Sequence, residues 1–143
     1  MILDECHFKA FSPQLKKELE KYKNLLYLSL NDCQLKSLEH FPRLPALLKL
    51  DLLDNQLNDD CLPYVAVNDK LQQLSLGGNQ ICKVEGLKAL VKLADLREID
   101  LLACPLTSQQ DYRANIFKLL PQLEILDNMD QDNNIIESDE VSR

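Results

Sequence analysis

The sequence at residues 47–57 is LLKLDLLDNQL, with leucines at positions 1, 4, 6 and 11 and an asparagine at position 9. The same pattern starts again at residues 25, 71 and 96, with Asn or Cys at position 9, and a partial copy starts at residue 123. The starts lie 22 to 27 residues apart. A period of roughly 20 to 29 residues with this L-x-x-L-x-L-x-x-N/C-x-L signature is that of a leucine-rich repeat.

The repeat has a direct physical interpretation. Its L-x-L core has period 2, so it predicts a short strand whose leucines point inward. At position 9 a small hydrogen-bonding side chain turns the chain, and we expect structural roles for Cys33, Asn55, Asn79 and Cys104. Each repeat can bury its apolar face only against the next. The sequence therefore predicts an α/β leucine-rich-repeat solenoid, with a curved parallel sheet on the concave side and helical, 3₁₀ and extended segments on the convex side.

The chain is predicted to divide into four parts. Residues 1–24 are an N-terminal capping segment with a helix, residues 25–107 are four repeats, residues 108–130 are a C-terminal cap with the partial fifth repeat, and residues 131–143 are an acidic flexible tail. The first helix should begin with Ser12 as its N-cap and end near Lys23. Its apolar face would carry Leu15, Leu19 and Tyr22.

The C-terminal cap should be a second helix. Ser108, with Asp111 three residues later, resembles a capping box in which Asp replaces the usual Glu or Gln. The apolar residues predicted to cover the end of the stack are Tyr112, Ile116, Phe117 and Leu120.

The composition excludes several classes of function. The chain has 143 residues, 31 of them leucine, and a net charge of −7, so a surface that binds nucleic-acid phosphates is not expected. Only His7 and His40 offer imidazoles, and the carboxylates lack the spacing of a calcium loop, so we predict no enzyme activity, no metal and no cofactor.

Nothing in the sequence resembles a signal peptide or a membrane span. Five scattered cysteines without a C-x-x-C pair indicate reduced thiols of an intracellular protein.

Residues 111–127 read DYRANIFKLLPQLEILD. This run resembles the C-terminal cap of the acidic leucine-rich nuclear phosphoprotein 32 family, and the broader cap pattern is shared by the spliceosomal A-prime protein and the phosphatase-1 regulatory leucine-rich-repeat protein. The resemblance spans roughly residues 25–130. It implies structural roles for Tyr112, Phe117 and Pro121, and a location in nucleus and cytoplasm. The family also has an additional first repeat with a basic helix and a long Asp/Glu tail, which residues 1–24 and 131–143 do not match.

The register of the repeats locates the charge. Positions 3, 5 and 7, flanked by 2 and 8, face outward on the concave side, where eight acids and two bases give net −6. Residues 131–143 add −3, which leaves +2 elsewhere. Position 5 alone predicts a ladder of acidic and serine side chains, and Gly77-Gly78 is expected to ease a turn. The predicted partner-binding residues are Tyr27, Ser29, Asp32, Lys49, Asp51, Leu53, Asp54, Glu98, Asp100, Leu102, Ile125, Asp127 and Asp130.

These features give three hypotheses for function. The first is a monomeric, non-enzymatic module that binds basic proteins through this face and the tail, and the family resemblance implies histones as the partners. The resemblance also implies inhibition of a protein phosphatase of the 2A type, and relatives with the same cap imply a spliceosomal or RNA-export scaffold. A solvated acidic face without any partner is the plain alternative. Ser138 in the tail is a weak candidate for phosphorylation.

Overall fold

The computed structural model describes residues 1–136, so the candidate Ser138 lies outside the described residues. Five short parallel strands form one sheet in the order β1-β2-β3-β4-β5, which confirms the predicted solenoid. The strands are β1 (Tyr27–Ser29), β2 (Lys49–Asp51), β3 (Gln73–Ser75), β4 (Glu98–Asp100) and β5 (Ile125–Leu126). We number the repeats as rows one to five after these strands.

The convex side is made of short helical segments, as the sequence predicts. The α-helices are α1 (Pro13–Leu19), α2 (Leu62–Val65) and α3 (Tyr112–Leu119), and the 3₁₀ segments are Asp59–Cys61, Val84–Lys92 and Pro105–Ser108. These segments are three to nine residues long, and α1, α2 and the 3₁₀ segment Pro105–Ser108 each have a proline at their first or second position. The leucines of the repeats are buried between the two sides and form one continuous core.

Position 9 ties neighbouring rows together. The Asn55 side chain accepts hydrogen bonds from the backbone N–H of Cys33 (3.0 Å) and Leu35 (3.1 Å), and it donates to the carbonyl of Leu30 (2.9 Å). One row later, Asn79 accepts a hydrogen bond from the Leu57 N–H (3.1 Å) and donates to the carbonyl of Leu52 (2.8 Å). In row four the buried Cys104 thiol donates to the Leu76 carbonyl at 3.2 Å. Burial raises the pKa of that thiol, so it is a protonated donor and not a nucleophile.

Position 8 turns the chain after each of the first four strands. Asp32, Asp54, Gly78 and Ala103 all have φ between 54° and 72°, in the left-handed region. Gly and Asp tolerate this region better than most residues do. A Cβ on Gly78 would also collide with the Asp54 carboxylate, so the glycine serves the turn, as expected.

The N-terminal segment contains a row that the repeat pattern did not predict. Ile2 pairs in parallel with Ser29, and the N–H groups of Leu3 and Glu5 donate to the carbonyls of Ser29 (2.8 Å) and Asn31 (2.9 Å). Rows one, two and three each make the same pair of bonds to the row that follows. The residues at positions 6, 9 and 11 of this row, which we call row zero, are Leu3, Cys6 and Phe8. Residues 1–8 therefore form part of the repeat stack, beside the capping helix.

Helix α1 begins as predicted but ends earlier. Ser12 is its N-cap, and its hydroxyl accepts a hydrogen bond from the Leu15 N–H at 3.0 Å. The helix ends at Leu19 and not near Lys23, because the next residues form turns that lead the chain into row one. Tyr22 is consequently 51% exposed, and its predicted place on the buried face is wrong.

The C-terminal helix lacks the predicted capping box. Ser108 ends a 3₁₀ segment, where its hydroxyl donates to the Pro105 carbonyl at 2.8 Å. Asp111 is the N-cap of α3, but its backbone is left-handed and its side chain makes no capping bond. Tyr112 is buried, Phe117 is partly buried below the Arg113 guanidinium, and Pro121 is exposed.

Candidate partner-binding surface

The parallel register brings the predicted surface residues onto one face. At position 3, Tyr27, Lys49, Gln73, Glu98 and Ile125 stand side by side across the five strands. At position 5, Ser29, Asp51, Ser75 and Asp100 do the same. The side chains nevertheless differ in exposure, because several are occupied by bonds inside the protein.

We define the inner ladder as Asp51, Asp100 and Asp127. Their carboxylates accept hydrogen bonds from groups of the protein itself. Asp51 accepts the Tyr27 hydroxyl at 2.7 Å and is only 9% exposed. Asp100 is partly buried and accepts the Leu102 N–H at 2.9 Å. These bonds hold the ladder carboxylates in fixed positions.

Both carboxylate oxygens of Asp127 accept hydrogen bonds. One accepts the Leu101 N–H at 2.6 Å and the other accepts the buried Tyr112 hydroxyl at 2.7 Å. Asp127 therefore joins row four, row five and the C-terminal helix. This geometry gives Asp127 a structural role and leaves it little capacity to bind a partner.

Ser29, the first predicted member of the position-5 row, is covered by Asp4 of row zero. Its hydroxyl donates to Asp4 at 2.6 Å, and the same carboxylate oxygen accepts the Asn31 N–H at 2.8 Å. Ser29 is 1% exposed and offers nothing to a partner. Asp4 was not among the predicted residues, although the L-x-x-C-x-F pattern of residues 3–8 was a signal for its row.

The charges of the ladder affect one another. Burial raises the pKa of Asp100, the Leu102 N–H opposes that effect, and the nearby Asp127 and Asp51 carboxylates raise it further. Burial, followed by the bond to Asp51, raises the pKa of Tyr27, so this phenol is a neutral donor at physiological pH. The pKa of Tyr112 is raised in the same way, by burial and then by the bond to Asp127.

Position 3 is less accessible than the sequence suggests. The Lys49 ammonium lies 5.1 Å from the centre of the Tyr27 ring, within the range of a cation–π contact. Glu98 is 8% exposed and accepts the Gln73 amide at 3.2 Å, and Ile125 is also 8% exposed. Glu98 and Ile125 therefore have little surface to offer a partner.

Apart from Glu124, which lies 3.7 Å from Arg97, the exposed carboxylates of the face in the described residues lie at position 8, at its edge. Asp32 and Asp54 are exposed, and within residues 1–136 neither carboxylate takes part in an ion pair or accepts a hydrogen bond. Beside them, Leu53 is half-buried and Leu102 is 49% exposed. Asp130, in contrast, folds into its own turn, where the N–H groups of Asn134 and Asp132 lower its pKa.

The described residues contain no grouping of His, Cys, Asp or Glu, three or more together, that could hold a metal ion. Both histidines are exposed. Among the helices of residues 1–136, none has the length and apolar character required to cross a membrane.

A leucine-rich-repeat family model matches residues 19–136. The chain belongs to the leucine-rich-repeat family. It is 38% identical over 137 residues to acidic leucine-rich nuclear phosphoprotein 32 family member A of Drosophila melanogaster, which confirms the predicted resemblance. It is also 39% identical over 124 residues to a protein of Tetrahymena thermophila that is named a histone. The alignments cover 96% and 87% of this chain, but only 51% and 32% of the two relatives.

Solved structures show the same fold. The structure of the Drosophila melanogaster SNF/U2A′ complex contains a chain that matches with a TM-score of 0.71 and 24% identity, over 99% of this chain and 78% of that one. The Mex67 leucine-rich-repeat domain of Chaetomium thermophilum matches with a TM-score of 0.55 and 18% identity, over 99% and 86%. As a member of the leucine-rich-repeat family, this chain is a protein-interaction module.

Proposed function

We propose that this repeat module is non-enzymatic and binds basic proteins, with histones as the first candidates, through the acidic concave face. The observation that carries the proposal is the unequal charge of that face. The face carries eight acids and only two bases, Lys49 and Arg97, and the Arg97 Nε already lies 3.7 Å from the Glu124 carboxylate. Such a face attracts cationic partners and repels phosphates.

The relatives support the same partner class. One is named a nuclear phosphoprotein, and another, which contains a segment similar to this chain, is named a histone. A module working beside histones requires a nuclear location, which we include in the proposal. The half-exposed Leu102 adds apolar area to the acidic face, as protein interfaces commonly do.

Binding of purified core histones tests the proposal. We expect the affinity to fall at least tenfold when the salt concentration rises from about 50 mM to about 300 mM, because exposed charges are screened. A variant with Asp32→Asn, Asp54→Asn and Asp100→Asn should bind about tenfold more weakly than the parent at the lower salt. Fluorescence anisotropy with labelled histones gives both numbers.

The matched control removes the same charge elsewhere. Asp69, Asp95 and Glu85 are exposed in turns and on the convex side, and Asp69→Asn, Asp95→Asn with Glu85→Gln should leave binding within about twofold. An equal loss in the two triple variants would mean that net charge, and not the concave face, determines binding. A parent protein that does not bind histones at the lower salt would remove the proposal.

A further inference from the structure

The carboxylates that remain free form a line along the edge of the sheet. Glu5, Asp32 and Asp54 occupy position 8 in rows zero, one and two, all three with left-handed backbone and all three exposed. Neighbouring strands lie about 4.8 Å apart, so the line extends over about 10 Å. We call these three residues the acidic rim.

The rim continues into an apolar surface in the next two rows. Position 8 in these rows is Gly78 and then Ala103, so the line of charges ends and the side chains become small. Leu53 packs over the buried Gly77, where an added Cβ would be 3.1 Å from the Leu53 methyl group. Leu102 stands beyond it, 49% exposed. We call Leu53, Leu102 and Ala103 the apolar patch.

We propose that the acidic rim and the apolar patch together bind one extended basic segment of a partner protein. Its Lys or Arg side chains would lie along the rim, and an apolar side chain next to them would pack against the exposed Leu102. This inference rests on the proposed function and specifies which part of the face makes the contact. It places the main charged contact at the rim and not at the position-5 ladder, where Asp127 accepts hydrogen bonds at both carboxylate oxygens and Asp51 and Asp100 each accept one.

The dimensions fix the length of the segment. From the row of Glu5 to the row of Leu102 there are four strand spacings, or about 19 Å. An extended chain advances about 3.3 Å per residue, so roughly six residues span both parts. The contact therefore requires a short segment with basic residues at one end and an apolar residue at the other, rather than a uniformly basic one.

Three labelled peptides test this arrangement by fluorescence anisotropy on the whole chain. The first has three lysines followed by three leucines, the second has serines in place of the leucines, and the third has glutamines in place of the lysines. We expect the first to bind best and each of the other two to bind at least threefold more weakly. Equal binding of the first and second peptides would show that the apolar patch does not contribute to binding.

Two variants test the acidic rim and the apolar residues separately. Asp32→Asn with Asp54→Asn should weaken the first peptide about three- to tenfold and flatten its salt dependence, because charge is removed while Asn still tolerates the left-handed backbone. Leu102→Ser should weaken it by a similar factor but leave the salt dependence unchanged. Asp69→Asn with Asp95→Asn is the control of equal charge and should bind like the parent.

The outcomes distinguish this inference from the function it rests on. If the Asp32/Asp54 double variant binds the first peptide as the parent does, while the concave triple variant still loses histones, then Asp100 carries the binding and the rim assignment is overturned. If the parent protein binds neither histones nor the first peptide, the proposed function itself fails. Loss in the double variant with an altered salt dependence supports both.

Discussion

The inner ladder and the acidic rim contain carboxylates on the same face, yet they have different roles. The ladder carboxylates accept hydrogen bonds from Tyr27, Leu102, Leu101 and Tyr112. The rim carboxylates Asp32 and Asp54 are exposed and accept none within residues 1–136. A carboxylate that satisfies buried N–H and O–H groups stabilises the fold, whereas an unoccupied one is free to meet a partner. Counting charges on a face does not distinguish the two.

The largest difference between ladder and rim should appear at Asp127. Asp127→Ala leaves the buried Leu101 N–H and the buried Tyr112 hydroxyl without their acceptor, and we expect a loss of about 3 kcal/mol in the free energy of unfolding. Urea denaturation measures it. Asp127→Asn, which keeps an acceptor for Leu101, should lose only about 1 kcal/mol.

Tyr112→Phe provides the reciprocal control for this prediction. It removes the donor and leaves one Asp127 oxygen unsatisfied in a buried place, so a loss of about 2 kcal/mol is expected. If Asp127→Ala and Tyr112→Phe both changed stability by less than about 0.5 kcal/mol, which is the scatter of surface substitutions, the ladder would be no more structural than the rim.

Asp100 is less buried than Asp127 and less exposed than the rim carboxylates. We expect its carboxylate to affect how the free energy of unfolding depends on pH. Its pKa is raised in the folded state, so folding favours the protonated carboxyl, and stability is lost as pH rises from the unfolded pKa through the raised value. Asp100→Asn keeps the acceptor for the Leu102 N–H but cannot ionise. We expect the variant to be more stable than the parent by roughly 0.5 kcal/mol at pH 7, since the partly exposed carboxylate is screened.

The measurement is the difference in unfolding free energy between parent and variant from about pH 3 to pH 7. That difference should vanish at the acid end, where the parent carboxyl is protonated in both states. A variant that is less stable than the parent at every pH would show that the Asp100 carboxylate stabilises the fold as Asp127 does.

The repeat pattern was sufficient to predict the fold. Leucines at fixed spacing determine which side chains are buried, and the strands occur where the L-x-L cores stand. Row zero was not predicted because the motif begins with a leucine at position 1, whereas Met1 already stands at position 4 of its row. The end of α1 was misplaced because Leu15, Leu19 and Tyr22 have helical spacing, although the chain must turn before Leu25.

The candidate surface could be predicted only in part. The register located the face and its net charge, because both follow from which positions point outward. It could not reveal that Tyr112, fifteen residues before Asp127, reaches back to that carboxylate, since the contact depends on how the C-terminal helix packs on row five. Nor could it show that Asp4 covers Ser29, because that requires the row-zero pairing.

The smallest predicted effect concerns the rim itself. Asp54 has a φ of 57°, a conformation that Asp and Asn tolerate better than Ala does. Asp54→Asn should therefore change the free energy of unfolding by less than about 0.5 kcal/mol, whereas Asp54→Ala should lose about 1 kcal/mol through backbone strain alone. Asp69→Ala, at an exposed turn without positive φ, is the control and should stay within about 0.5 kcal/mol. A loss above about 1 kcal/mol in Asp54→Asn would mean that the carboxylate holds the turn over Gly78, and the rim would then be structural like the ladder.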